Sequence, residues 1–322
     1  MRKLSRRLFR PFKRSTKTRS ENGSGTTVTA ETFGGPSYVQ PQNNREKHGL
    51  FELVSATSDD EVSLDIVAVH GLSGDWESTW TDPQSKKLWL RDFIPSQFPS
   101  TGLRVWSFGY DSATVFTNSA ADIDDAAKAL VNALHGERQT KNSRTKPIIF
   151  IAHSLGGIIV KRVCRRVQSR DSDTQNKSNK SIQAMNLANE RSELWKHVVD
   201  SIATLGFAGN KNFVEALKRN SSEFWKISNA FIQPASRLKI IFSFYETAKI
   251  GNDIIVDKGS AILELNHERA VPIQGANHRD ICRFSSDNSQ KYRPVRNALR
   301  DIIELALNPV DTNDQEDGRP HH

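Results

Sequence analysis

The run Pro147-Ile148-Ile149-Phe150-Ile151 leads directly into Ala152-His153-Ser154-Leu155-Gly156-Gly157, and this junction restricts the fold more than any other stretch. A short, β-branched, wholly apolar run predicts a strand covered on both faces, as in a parallel sheet between helix layers. Small residues around Ser154 allow a sharp reversal, and residues 155–166 predict a helix. Strand, tight turn with serine at its apex, and helix together make a nucleophile elbow. The bend lifts the serine hydroxyl clear of the sheet. The helix N-terminus then turns its free N–H groups and positive dipole end toward developing negative charge. Ala152 stands where this pattern usually has its first glycine. An ordinary strand-to-helix turn shares these residue types, so the motif gains its meaning from the chemistry that the rest of the chain supplies.

At 322 residues the chain has room for one large domain or two small ones. Two cysteines, Cys164 and Cys282, provide neither a disulfide framework nor a zinc spacing. No apolar run approaches the roughly 18 residues that span a bilayer, and no secretory apolar segment opens the sequence, so a soluble or membrane-peripheral protein is expected. The net charge of +8 is uneven: residues 1–20 hold nine Lys or Arg and no acid. Leu4, Leu8, Phe9 and Phe12 fall there at near-helical spacing, interrupted by Pro11. Such an arm fits a mitochondrial targeting segment, peripheral contact with an anionic membrane, or a solvated tail. Without interleaved aromatic residues it does not favour nucleic acid.

Residues 1–48 read as a disordered basic arm, 49–307 as one domain, and 308–322 as a disordered tail. Strands are predicted at 64–69, 103–108, 147–152, 238–244 and 270–273. Helices are predicted at 89–94, 118–135, after Ser154, at 212–218 and 222–231, and at 292–307. The helix 118–135 carries the stripe Ile123, Ala127, Leu130, Val131 and Leu134, capped by Asn118 or Ser119 and ended by Gly136. Alternation of strands with helices predicts an α/β fold with a mostly parallel sheet and helices on both faces. The polar stretch 167–192 reads as a loop or insertion.

Acyl transfer by serine needs a base, an acid that orients the base, and backbone donors for the oxyanion. In an elbow topology the chain order is serine, acid, histidine. His278 lies in a short loop after the last predicted strand, where the base is expected; His267 precedes that strand and reads as a surface residue. Glu246, directly after the strand 238–244, is the favoured acid. Asp253 and Asp257 lie a few residues on, and the order rule does not separate the three. Leu155 and Leu72 are the expected oxyanion donors, with His70 orienting the Leu72 loop and His153 packing beside the nucleophile. No metal-ligand spacing and no Gly-rich phosphate loop occur, so neither a metal nor a cofactor is expected.

The stretches Asp65-Ile-Val-Ala-Val-His-Gly-Leu-Ser-Gly74, Thr79-Trp80, Trp89–Pro95 and Phe108-Gly-Tyr-Asp111 carry a family resemblance. It continues through Ile149–Gly157, Phe244-Tyr-Glu246, Val256-Asp-Lys258 with Ser260-Ala261, Asn266–Arg269 and Ala276–Ser285. Over about residues 64–286 the chain resembles the serine-active-site-containing family of serine esterases, lipase-like α/β-hydrolases also found at the front of fungal nucleotide-binding and repeat proteins. The resemblance implies hydrolysis of acyl esters, lipids among them, and a location at mitochondrial or endoplasmic-reticulum membranes, with a cytoplasmic location as the alternative. The family's next strand, ending in Gly-Thr-Pro-His, is curtailed here to Val199–Gly209. A gap beside the nucleophile strand would leave backbone groups unpaired. That departure, together with the family's use as a front domain of multidomain proteins, supports a second reading, a catalytically inactive hydrolase-like interaction or signalling module.

Overall fold

The computed structural model describes residues 46–308 except 57, 59, 60, 118, 174–181, 188–210, 252, 253, 255 and 257. The basic arm, the C-terminal tail and the stretch 199–209 therefore lie outside the described residues. Among the described residues, seven strands form one sheet: β1 (Gly49–Val54), β2 (Leu64–Val69), β3 (Leu103–Gly109), β4 (Ile148–His153), β5 (Ile182–Leu187), β6 (Ile241–Glu246) and β7 (Glu268–Ile273). Their order is β1-β3-β2-β4-β5-β6-β7. β1 runs antiparallel to β3, and the remaining pairings are parallel. This is the expected α/β-hydrolase architecture.

The apolar runs become central strands because both of their faces are covered. Val67, Val69, Phe150 and Ala152 enter one core cluster, and Leu64, Ile66, Ala68, Ile149 and Ile151 enter the other. Helices α1 (Ala120–Glu137) and α2 (Gly156–Asp173) cover the first face. Ile123, Ala127, Leu130 and Leu134 of α1 lie there with Ile158, Ile159 and Val163 of α2. Helix α3 (Lys211–Ala230) adds Phe224 and Ile227. Helix α4 (Tyr292–Leu307) covers the opposite face with Val295, Leu299, Ile302 and Ile303. Each of the Val, Leu, Ile and Phe side chains contributes roughly 1.5–3 kcal/mol by leaving water.

A buried ionic group fixes the amino ends of the strands. Asp65 accepts from Arg104 Nε at 2.8 Å, Arg138 Nη1 at 2.8 Å and Trp106 Nε1 at 2.9 Å. This network sits at the end of the strands opposite the serine turn, since Asp65 is the second residue of β2 and Ser154 follows the end of β4.

Several expectations are corrected. Residues 167–192 are not one loop: α2 runs to Asp173, and 182–187 form β5. β5 pairs with β4 from Ile148↔Ile182 to His153↔Leu187, and with β6. The position expected to be left open by the curtailed stretch is therefore filled by an earlier segment. Gly136 lies inside α1 rather than ending it, and the helix closes at Arg138, whose N–H donates to Leu134 O. The helices expected at 212–218 and 222–231 are one helix, α3, followed by a short turn at Ile232–Ala235. β6 is shifted from 238–244 to Ile241–Glu246, so Glu246 ends the strand instead of following it.

Candidate active site

The elbow is built from one strained residue and two close approaches. Ser154 has φ +51°, the left-handed region that a non-glycine residue occupies at a cost of roughly 1–2 kcal/mol. α2 begins two residues later at Gly156. A Cβ on Gly156 would stand 2.4 Å from the carbonyl oxygens of both Val69 and His70. A Cβ on Gly71 would stand 2.8 Å from Ser154 Cβ. These glycines let the helix start and the loop after β2 close around the serine. Ala152, in contrast, is accommodated within the core at 1% exposure.

Ser154, His278 and Glu246 are brought together from the ends of three strands. His278 Nε2 and Ser154 Oγ are 3.1 Å apart, and His278 Nδ1 is 3.7 Å from Glu246 Oε1. The second distance exceeds a hydrogen bond, as is common for such pairs without substrate. Glu246 is buried and accepts a hydrogen bond from the Val256 amide. A threonine ties the two loops that present the acid and the histidine. Thr247 Oγ1 donates to Ile273 O at 3.1 Å and accepts from Gly275 N at 2.9 Å. The Thr247 and Ala248 amides both donate to Ala276 O at 3.0 Å. Asp253 and Asp257, the other candidate acids, lie outside the described residues. His267 is elsewhere, its Nε2 2.9 Å from Ala235 O.

Two further histidines shape the surroundings, and burial makes both of them neutral. His70 Nε2 accepts from the Tyr110 amide at 3.3 Å, so its Nδ1 carries the proton and donates to Gly71 O at 2.8 Å. Tyr110 Oη donates to His70 O at 2.7 Å, and the two rings stack 4.3 Å apart. Burial lowers the His70 pKa to about 4 despite the hydrogen bond to Gly71. The Leu72 loop is thus pinned by His70, as its position in the sequence suggested. Ser73, itself at φ +54°, donates its amide to Ser112 Oγ at 3.0 Å. His153 lies at the end of β4, and its Nε2 donates to His278 O at 3.0 Å. Burial lowers its pKa to about 4 as well. His278 is held well below the ordinary histidine range by burial first, then by His153 and Arg279.

A cleft of about 290 Å³ opens onto Ser154 and His278, walled by Leu72, Thr79, Cys282 and Arg283 among others. Cys282 Sγ is directed to Thr79 O at 3.3 Å, and burial pushes its pKa up to about 12, so it is a packing thiol. Leu155 is buried directly after the serine, and Leu72 lines the cleft beside it. Sequence reasoning did not anticipate Thr247, Ser112 or the backbone partner of His153. Their roles depend on contacts between distant segments, which carry no local signature. Among the described residues, no group of three or more His, Cys, Asp or Glu side chains is gathered as for a metal ion.

Residues 60–232 match the family model described as "Putative serine esterase (DUF676)". The chain belongs to this family. The match includes Ser154 and stops short of Glu246 and His278. The chain is 24% identical over 268 residues to Protein SERAC1 of Danio rerio, covering 75% of this chain and 39% of that protein. It is 22% identical over 267 residues to Protein SERAC1 of Bos taurus, again covering 75% and 39%. The chain thus spans well under half the length of these relatives. Solved structures with similar folds include the peroxisomal alpha-beta-hydrolase Lpx1 from Saccharomyces cerevisiae, at 12% identity and TM-score 0.41, covering 79% of this chain and 80% of that one. Another is the Pyrococcus furiosus esterase PF2001, at 13% identity and TM-score 0.44, covering 81% and 92%.

Proposed function

We propose that the protein is a serine carboxylic ester hydrolase acting on acyl esters, lipids among them. The observation that carries this reading is the 3.1 Å approach of His278 Nε2 to Ser154 Oγ across 124 positions of chain. Ser154 Oγ attacks the ester carbonyl carbon while its proton passes to His278 Nε2. Glu246 faces Nδ1 and stabilises the imidazolium that forms. The Leu72 amide, in the pinned loop, and the Leu155 amide, at the N-terminal end of α2, hold the oxyanion. The carbon–oxygen bond to the leaving alcohol breaks as that oxygen takes the proton from Nε2. Water then attacks the acyl-enzyme by the same route, releasing the acid and restoring Ser154.

Pairing of β5 with β4 and β6 supports the catalytic reading over an inactive interaction module, because the backbone beside the serine strand has partners. The lipid substrate is supported by the family resemblance and by the basic segment 1–20. The same segment supports membrane contact at the mitochondrion or endoplasmic reticulum. Deleting residues 1–20 from a fluorescently tagged chain should release it to the cytoplasm; an unchanged membrane location removes that part of the reading.

The chemistry is tested with a fluorophosphonate probe and a short p-nitrophenyl ester on the purified chain. Labelling and hydrolysis are expected, and both should disappear in Ser154→Ala. Labelling that survives this substitution, or a folded wild-type chain with neither activity, overturns the assignment.

A further inference from the structure

The cleft beside Ser154 has an electrostatic character that ester hydrolysis alone does not require. Its charged lining side chains are two arginines, Arg279 and Arg283. Both come from the short segment that also carries His278. That segment is a tight turn: the Asp280 and Ile281 amides donate to Asn277 O at 3.1 and 3.0 Å, and the Arg283 amide donates to Asp280 O at 3.0 Å. Ile281, Cys282 and Phe284 anchor it in the core. The backbone from which both guanidiniums project is therefore fixed relative to the reacting groups.

Arg283 is the informative member. Its Nε is buried and has no hydrogen-bond partner among the described residues. A buried cationic N–H left unpaired is costly, and such groups in native proteins call for a partner. Asp82 lies within its field but forms no ion pair with it among the described residues. Asp280, the nearest acid in sequence, accepts from Asn277 Nδ2 at 2.8 Å. Glu246 lies behind His278 and does not line the cleft. The planar fork of arginine suits two oxygens of one anion, and phosphate or carboxylate fits it best.

We propose that Arg279 and Arg283 form an anion subsite, so that the preferred ester carries a phosphate or carboxylate group next to the scissile bond. This deepens the esterase reading and rests on it for the reaction, though not for binding. Neutral acyl esters enter the same cleft without using the guanidiniums. Arg283 supplies the enclosed part of the subsite, and the exposed Arg279 supplies its rim.

The test compares kcat/KM of the full chain for a short-chain monoacylglycerol phosphate and for the matching monoacylglycerol. The phosphate ester is expected to be favoured by about 10- to 100-fold, the range for charge-assisted hydrogen bonds. Arg283→Gln should lower that ratio at least tenfold while the chain keeps its melting temperature. Arg283→Lys should recover part of it. Turnover of both esters with a ratio near one, or a ratio unmoved by Arg283→Gln, overturns the subsite. Inhibition by inorganic phosphate without any preference between the esters assigns the arginines to a free anion and overturns the substrate claim. Calorimetric binding of the phosphate ester to Ser154→Ala is expected to persist. That binding, seen in a wild-type chain that hydrolyses neither ester, supports the subsite while refuting the esterase reading.

Discussion

His153 Nε2 donates to the backbone carbonyl of His278 at 3.0 Å, so the residue preceding the serine holds the loop that presents the histidine to it. The two rings lie 5.1 Å apart. His153→Ala removes the donor and leaves the carbonyl to drift, while the serine turn keeps its glycines. A fall in kcat of about tenfold is expected, the worth of one positioning hydrogen bond, with KM changed much less. Steady-state kinetics on a neutral ester checks this, and His153→Gln should restore part of the rate.

Glu246→Gln keeps the size of the side chain and an oxygen for the Val256 amide, but removes the charge that faces His278 Nδ1. We expect kcat to fall about 10²- to 10⁴-fold with the fold intact, since the imidazolium loses its stabiliser. Asp253→Asn and Asp257→Asn should leave kcat within about twofold. A larger loss from either aspartate than from Glu246 would reassign the acid.

Stability should fall as the medium becomes acidic, starting near the ordinary histidine range. His70 and His153 are neutral in the fold, with pKa values lowered from 6.5 to about 4 by burial. Below pH 6.5 the unfolded chain binds protons that the folded chain refuses, so acidification favours unfolding. Their contribution is complete above pH 6.5 and is lost as pH drops toward 4, where the folded protein also takes them up. Each site adds a slope of up to about 1.4 kcal/mol per pH unit. Urea melts between pH 7 and 5 measure this, and His153→Gln should flatten the slope by about one proton.

Two glycines should respond to alanine in opposite directions. At Gly156 a methyl group meets two oxygens at 2.4 Å, both of them main-chain atoms of Val69 and His70. Gly156→Ala should cost about 1–3 kcal/mol in chemical denaturation and remove fluorophosphonate labelling. Gly136 is a helical residue, and a methyl group added there would meet nothing within 4 Å. Gly136→Ala should stabilise by about 0.5–1 kcal/mol through helix propensity.

The parts of the molecule that were readable in the sequence are those with a local or ordered signature. The apolar run before Ser154 and the small residues around it marked strand and turn directly. His278 and Glu246, which the structure brings to Ser154, were legible as candidates because their distance along the chain matters less than their place after a strand. β5 escaped because Ile182-Gln-Ala-Met-Asn-Leu187 mixes polar residues into a tract of Ser, Asn and Asp, and its pairing partners are remote. The edge strand β1 escaped for a related reason, since its register with β3 shifts between Glu52 and Val54. Thr247 shows the limit most clearly: its hydroxyl joins two loops across 26 positions of chain, and nothing near it in sequence marks that task.

Ser154, Glu246 and His278 follow or end β4, β6 and β7, with β5 seated between the first two. A chain in which the later strands have yet to dock has no assembled reaction centre, however well its first half has condensed. Under the proposed function, reactivity toward a serine-directed probe would serve as a clock for the last stage of sheet assembly, separate from the appearance of helical signal.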